Sequence, residues 1–305
     1  MKSMRDSVLR LFTVLSAVLM LCFAETQAQT ELERTLTQYN KETVTGYIQP
    51  VVDLFGANMH AGYYHSAFIP KSGFSLGIDL IGMGSIVTDA QKTYTATAPP
   101  GFDPPTFKAP TIFGGKAVEI FHKVIAGLSF KGSGGIVNAS IFPLAVPQLR
   151  IGSLYGTEAI LRFVTIPAIG DDKFPVITLW GAGVRHSISQ YIPSSPVDIA
   201  AGAFFNSFTL GDIISFKGVA LSAHASKSIS VLILYGGVAW ESSKMNLKYS
   251  STDPTLPAAV DINLTGANAF RFTLGAGLKL GFFRIFADAN FGSVTNYSGG
   301  IGFGL

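Results

Sequence analysis

Between residues 270 and 291 the chain reads FRFTLGAGLKLGFFRIFADANF, and its character changes at nearly every position. Phe270, Phe272, Leu274, Ala276, Leu278 and Leu280 fall on one side; Arg271, Thr273, Gly275, Gly277 and Lys279 fall on the other. After Gly281 the pattern resumes, with Phe283, Ile285, Ala287, Ala289 and Phe291 set against Arg284, Phe286, Asp288 and Asn290. A period of two is that of a β-strand, whose successive side chains point to opposite faces. A soluble antiparallel sandwich turns its charged face outward and shares its core between two sheets. Strands of about ten residues with one wholly apolar face also fit the opposite arrangement, a closed barrel in lipid.

Composition tilts the choice. Charged residues make up 13% of the chain and mean hydropathy is +0.39, with 33 glycines and 24 phenylalanines. Soluble domains carry about twice that share of charge, so much of this surface is expected to face something other than water. A formal charge of +3, without a block of Lys and Arg interleaved with aromatics, is too small to imply a nucleic-acid partner, and none is expected. The first residues have the form of a secretory signal: Lys2, Arg5 and Arg10, an apolar run over residues 11–24, then small and polar residues with cleavage expected near Ala28. Cys22, the one cysteine, lies inside that leader, so no disulfide is expected in the exported chain. Beyond it no apolar run reaches the length of a transmembrane helix.

The expected organisation follows: a signal peptide over 1–28, an amphipathic helical plug over 29–55, and a transmembrane antiparallel up-and-down β-barrel over 56–305. In the helical segment Leu32, Leu36, Tyr47, Val51 and Phe55 recur at helical spacing, with Pro50 expected to bend or divide it. The proline-rich stretch 88–116 reads as a long external loop without strands, and 250–261 as another; 154–157 and 280–282 suit tight turns at the other end. Roughly 18 to 20 residues per strand and connection give about 12 strands, with 10 to 14 tolerable. Tyr63, Tyr64, Trp180, Tyr191, Tyr235, Trp240, Tyr249 and Tyr297 suit membrane girdles, although plain β-propensity would also place them in strands. The last strand is expected to pair across the seam with a first strand near 59–67, leaving no free edge.

The ending SGGIGFGL is similar to the C-terminal recognition signal of bacterial outer-membrane barrels, carried by Ser298, Gly300, Phe303 and Leu305; it departs at Leu305, where Phe or Trp is more usual. More of the chain, through YIQPVVDLFGANMHAGYYHSA, APTIFGG and PQLRIGSLYGTEAILRF, resembles an uncharacterised family of outer-membrane proteins from Bacteroidota and related bacteria. That resemblance implies a barrel in the outer membrane, with outer-membrane lipid and the barrel-assembly machinery as partners, and no established activity. The order of a helical segment and then a barrel also resembles the long-chain fatty-acid transporter type, which implies uptake of a small hydrophobic solute.

Candidate chemistry is sparse. His60, His65, His122, His186 and His224 are scattered without metal-ligand spacing, no phosphate loop is present, and no metal or cofactor is expected. His224 and Ser226, two apart on one strand face, would make a base and nucleophile for lipid hydrolysis with Glu241 as third member; ordinary polar residues near a strand end give the same pattern. By parity Arg150, Glu158, Arg162, Asp198, Lys217, Arg271, Lys279, Arg284 and Asp288 are expected to line the lumen, either selecting solutes or filling it. The leading expectation is a non-enzymatic channel or transporter gated by the plug. The lipid hydrolase and a structural or adhesive barrel with a filled lumen are the alternatives.

Overall fold

A computed structural model describes residues 41–168, 175–249 and 260–304. The signal peptide expected at 1–28, Leu32, Leu36, Leu305 and most of the loop expected at 250–261 lie outside the described residues. The chain opens on helix α1 (Lys41–His60). Pro50 lies inside this one continuous helix rather than dividing it, and its missing N–H frees only the Gly46 carbonyl. The helix also runs past Phe55, and residues 61–74 carry no strand, so the first strand is not at 59–67.

Strand β1 (Ser75–Ile86) leads into an excursion holding two small sheets, β2 (Thr93–Thr97) with β4 (Thr106–Pro110), and β3 (Phe102–Asp103), β5 (Glu119–His122) and β6 (Ser129–Lys131). The stretch 88–116 therefore does form strands. Its prolines stand at the ends and in the connection, where they remove few ladder donors. The wall continues as β7 (Ile141–Leu154), β8 (Thr157–Ile166), β9 (Ile177–Ser187), β10 (Asp198–Leu210), β11 (Ile214–Ile229) and β12 (Leu232–Tyr249). It ends with β13 (Val260–Thr265), β14 (Phe270–Leu280), β15 (Phe283–Phe291) and β16 (Asn296–Gly304).

Ten of these strands close an antiparallel barrel, and β13 is an extra strand pairing with the far end of β12. Closure runs between β1 and β16, with Ile78 opposite Phe303 and Leu80 opposite Ile301. Each barrel strand is thereby paired on both sides and no long edge is left for another chain to extend. Short turns at 155–156, 230–231 and 281–282 mark one end of the barrel, and the excursion marks the other.

The two faces are inverted relative to a soluble protein. Outward residues such as Ile78, Phe163, Leu221, Val238, Phe272, Ile301 and Phe303 are exposed, whereas Asp79, Arg150, Glu158, Arg162, Arg185, Glu241 and Arg271 are buried inside. Trp180, Trp240 and Tyr297 stand on the outward face among the expected girdle aromatics, but Tyr63 and Tyr235 are buried within. The interior has two halves. Near the excursion, Met83, Leu144, Leu179, Phe208, Phe216, Met245 and Leu264 surround Val44, Ile48, Val52 and Phe55 of α1. Near the short turns it is lined by charge.

Candidate functional site: the barrel interior

The helix is held inside the wall from several directions. Phe55 packs on Phe208 and Phe216, with ring centroids 4.9 and 5.0 Å apart. Tyr47 donates to the Gly134 carbonyl at 2.9 Å, and Gln49 Nε2 donates to the Thr265 carbonyl at 2.8 Å. Asn58 Nδ2 donates to the Phe142 carbonyl at 2.7 Å, while its Oδ1 accepts from Ser85 at 2.8 Å and from Asn296. Val51 is partly buried against the same apolar cluster.

The last turn of α1 carries carbonyls with no partner within the helix, and cations suit that end of the peptide dipole. Two guanidinium groups from the wall supply the donors. Arg271 Nη2 donates to the Ala57 carbonyl at 2.7 Å; Arg162 donates to the carbonyls of Met59 at 3.2 Å and Ala61 at 2.8 Å. Arg162 also lies 3.6 Å from the centre of the Tyr63 ring and donates to Gln148 Oε1 at 2.9 Å. Arg271 is paired with Glu241 at 2.5 Å through Nε and 3.2 Å through Nη2, and Asn268 donates to the same carboxylate at 2.7 Å.

Below the helix a chain of charge crosses four adjacent strands. Arg150 grips Asp79 through two bonds of 2.6 and 3.0 Å, lies 3.6 Å from Glu158, and Glu158 in turn accepts from Arg185. Arg185 Nη1 donates to the Ser66 carbonyl at 2.6 Å, tying the segment after α1 to the wall. Two glycines leave room for this network. A Cβ on Gly77 would lie 2.4 Å from the Arg150 guanidinium, and one on Gly302 would lie 2.1 Å from Asp79 Oδ1. Across the lumen Asp288 accepts from Tyr235 at 2.9 Å, from Asn290 at 2.6 Å and from Ser298.

Of the expected lumen residues, Arg150, Glu158, Arg162, Arg271 and Asp288 are buried inside. Asp198, Lys279 and Arg284 lie on the inward side at the short-turn end, where Asp198 and Arg284 are half-buried and Lys279 is exposed. Lys217 is a correction: it faces outward with Val219 and Leu221, while Phe216, Gly218 and Ala220 point in. Arg185 was missed by parity counting, although it stands in the same alternation as Leu179 and Gly181. Ser298 and Gly300 face inward and Phe303 outward.

His224 and Ser226 share the inward face without bonding to each other. The His224 ring stacks on Tyr64 at 4.0 Å, with Nδ1 3.3 Å from Ser222 Oγ and Nε2 3.4 Å from Arg185. Ser226 Oγ accepts from the Ala67 N–H at 2.8 Å, and Glu241 serves Arg271. A nucleophile needs its base within hydrogen-bond reach, and here each member has a different partner. Among the described residues no three His, Cys, Asp or Glu side chains are grouped to hold a metal ion.

Two cavities bracket the helix. One of about 390 Å³ opens at the excursion end between α1 and the small sheets, lined by Tyr47, Tyr94, Pro99, Phe107, Val118 and Phe130 among others, with no charged side chain among the described residues that line it. The other, beside His60, Tyr64, Glu241, Arg271 and Asp288, is about 20 Å³, room for about one water.

Several solved barrels are similar in outline. The COG4313 outer membrane channel from Pseudomonas putida F1 is 10% identical with a TM-score of 0.32, over 80% of this chain and 99% of that one. OmpT, an outer membrane protein of Vibrio cholerae, is 8% identical with a TM-score of 0.28, over 77% and 100%. The Ralstonia pickettii toluene transporter TbuX is 11% identical with a TM-score of 0.27, over 76% and 87%. Likeness at these scores carries nothing about what this chain does. No curated protein matches it by sequence. A family profile does, along residues 1–305: the chain belongs to the family of unknown function DUF6588.

Proposed function

We propose that the chain is exported to the bacterial outer membrane and works there as a gated channel or transporter for small solutes, hydrophobic ones included, with α1 and the segment before it as the plug. The observation that carries this reading is the inversion of faces: apolar side chains cover the outside of a closed barrel, and charge is buried within it around a helix. A closed barrel satisfies all its backbone groups between strands, which is what a lipid environment demands. In such barrels the longer loops are external, which favours the outer side for the excursion and its 390 Å³ cavity, whose described lining carries no charge. That volume is in the range of small-molecule sites, and its lining suits an apolar solute. Among the described residues the helix is held by packing and hydrogen bonds, and on this reading its movement opens the lumen. The order of helix and barrel matches the long-chain fatty-acid transporter type, an analogy of architecture.

The charged half of the interior favours a second reading, a structural barrel with a filled lumen, because the cavity beside His60, Glu241 and Arg271 holds only about 20 Å³. Planar-bilayer conductance and liposome swelling of the exported chain with and without residues 30–55 separate the two. Silence with the helix and current without it supports a gate. Silence in both, from protein that still folds as a barrel, points to the filled structure.

A further inference from the structure

From the excursion end toward the short turns, the outward side chains of β11 run Lys217, Val219, Leu221, Ala223, Ala225 and Lys227. Two lysines bracket an apolar run. They stand ten residues apart on the strand; at about 3.4 Å per residue and a tilt of about 40°, that is about 26 Å along the barrel axis, close to the height of an apolar membrane band. Lys217 therefore sits at the outer edge of that band.

Directly opposite it on β12 is Lys244, also outward and exposed. Beneath Lys244 on the same face lies Trp240, 44% exposed, an interfacial aromatic. Like charges on facing residues destabilise a sheet unless something compensates them. Among the described residues no carboxylate lies within salt-bridge distance of either lysine; the nearby Lys248 has Asp261 at 4.0 Å.

The geometry points to a binding site at Lys217 and Lys244 for the phosphates of an anionic glycolipid in the leaflet around the excursion end. Two ammonium groups in register accept a phosphate between them, at headgroup height. The acyl chains then lie along Val219, Leu221 and Val238, which are exposed below. The inference rests on the outer-membrane reading above, which supplies the leaflet.

The test is titration of the full-length protein in micelles with bisphosphorylated lipid A, and with the same lipid lacking both phosphates, followed by native mass spectrometry. At about 1 kcal/mol for each basic residue at a charged surface, the double variant Lys217→Gln/Lys244→Gln should bind the phosphorylated lipid roughly 30-fold more weakly. Lys227→Gln should leave binding unchanged, and the phosphate-free lipid should not distinguish the variants. Heat-dependent gel mobility checks that each variant is folded. Equal affinity in folded wild type and double variant, or no preference for phosphate, overturns the site. Protein that never inserts into bilayers would instead overturn the outer-membrane reading.

Discussion

Replacing Arg271 by methionine tests how the interior is held together. Glu241 is 2% exposed and keeps only the Asn268 amide once the guanidinium is gone, while the Ala57 carbonyl of α1 loses its donor. Breaking a buried pair from one side leaves an uncompensated charge and costs about 3–5 kcal/mol. Glu241→Leu should cost a similar amount, since Arg271 would keep only a carbonyl. The double variant buries no lone charge; what it loses is the Ala57 bond and the partner of Asn268, about 1–3 kcal/mol each. Mid-range values of these costs give a coupling of about 4 kcal/mol between the two sites. The assay is urea unfolding in micelles, followed by the fluorescence of Trp180 and Trp240, the only two tryptophans, both on the outward face. Additive losses, or a single variant within about 1 kcal/mol of wild type, would refute the claim that this pair is buried and mutually dependent.

Gly302→Val places a Cβ 2.1 Å from Asp79 Oδ1, so it should break the Asp79–Arg150 grip and lower stability by more than about 3 kcal/mol in the same titration. Ser226→Ala leaves the Ala67 N–H without its acceptor, a loss of about 1–3 kcal/mol, and should not change the rate at which reconstituted protein hydrolyses phospholipid ester; a fall in that rate would restore the hydrolytic reading.

The alternation at residues 270–291 discloses the fold because a barrel strand with charge inside and apolar side chains outside must alternate along its whole length. Arg271 and Asp288 were legible as interior residues for the same reason. Lys217 was not. The 16-residue β11 runs past the apolar band, and beyond it an outward lysine is free to reach headgroups or water. At that same level the inward residues are apolar, Phe216 and Met245 among them, because they face α1 rather than a polar lumen. Charge as a marker of the inside therefore holds only along the middle and lower wall. The ten barrel strands fall within the expected 10 to 14, at its lower end because 61–74 and 117–140 lie outside the barrel ladder and β11 and β12 are long. The partners of Arg162 and Arg271 were out of reach, since backbone carbonyls at a helix end leave no trace in the sequence around the arginines that bind them.

The central claim is that α1 closes the lumen and that its movement opens it. A disulfide between Gly56→Cys on the helix and Ser243→Cys on β12 addresses it directly, because a Cβ at 56 would stand 3.0 Å from that of Ser243, about half an ångström short of the usual range for a bridge, so a small outward shift of the helix suffices to seat it. Cys22 is the one cysteine of the sequence, and replacing it by serine leaves no other thiol to compete. Single-channel recording should show no current when the bridge is oxidised and solute-dependent openings when it is reduced. Openings of equal size and frequency in both states, with the bridge verified, would contradict the account.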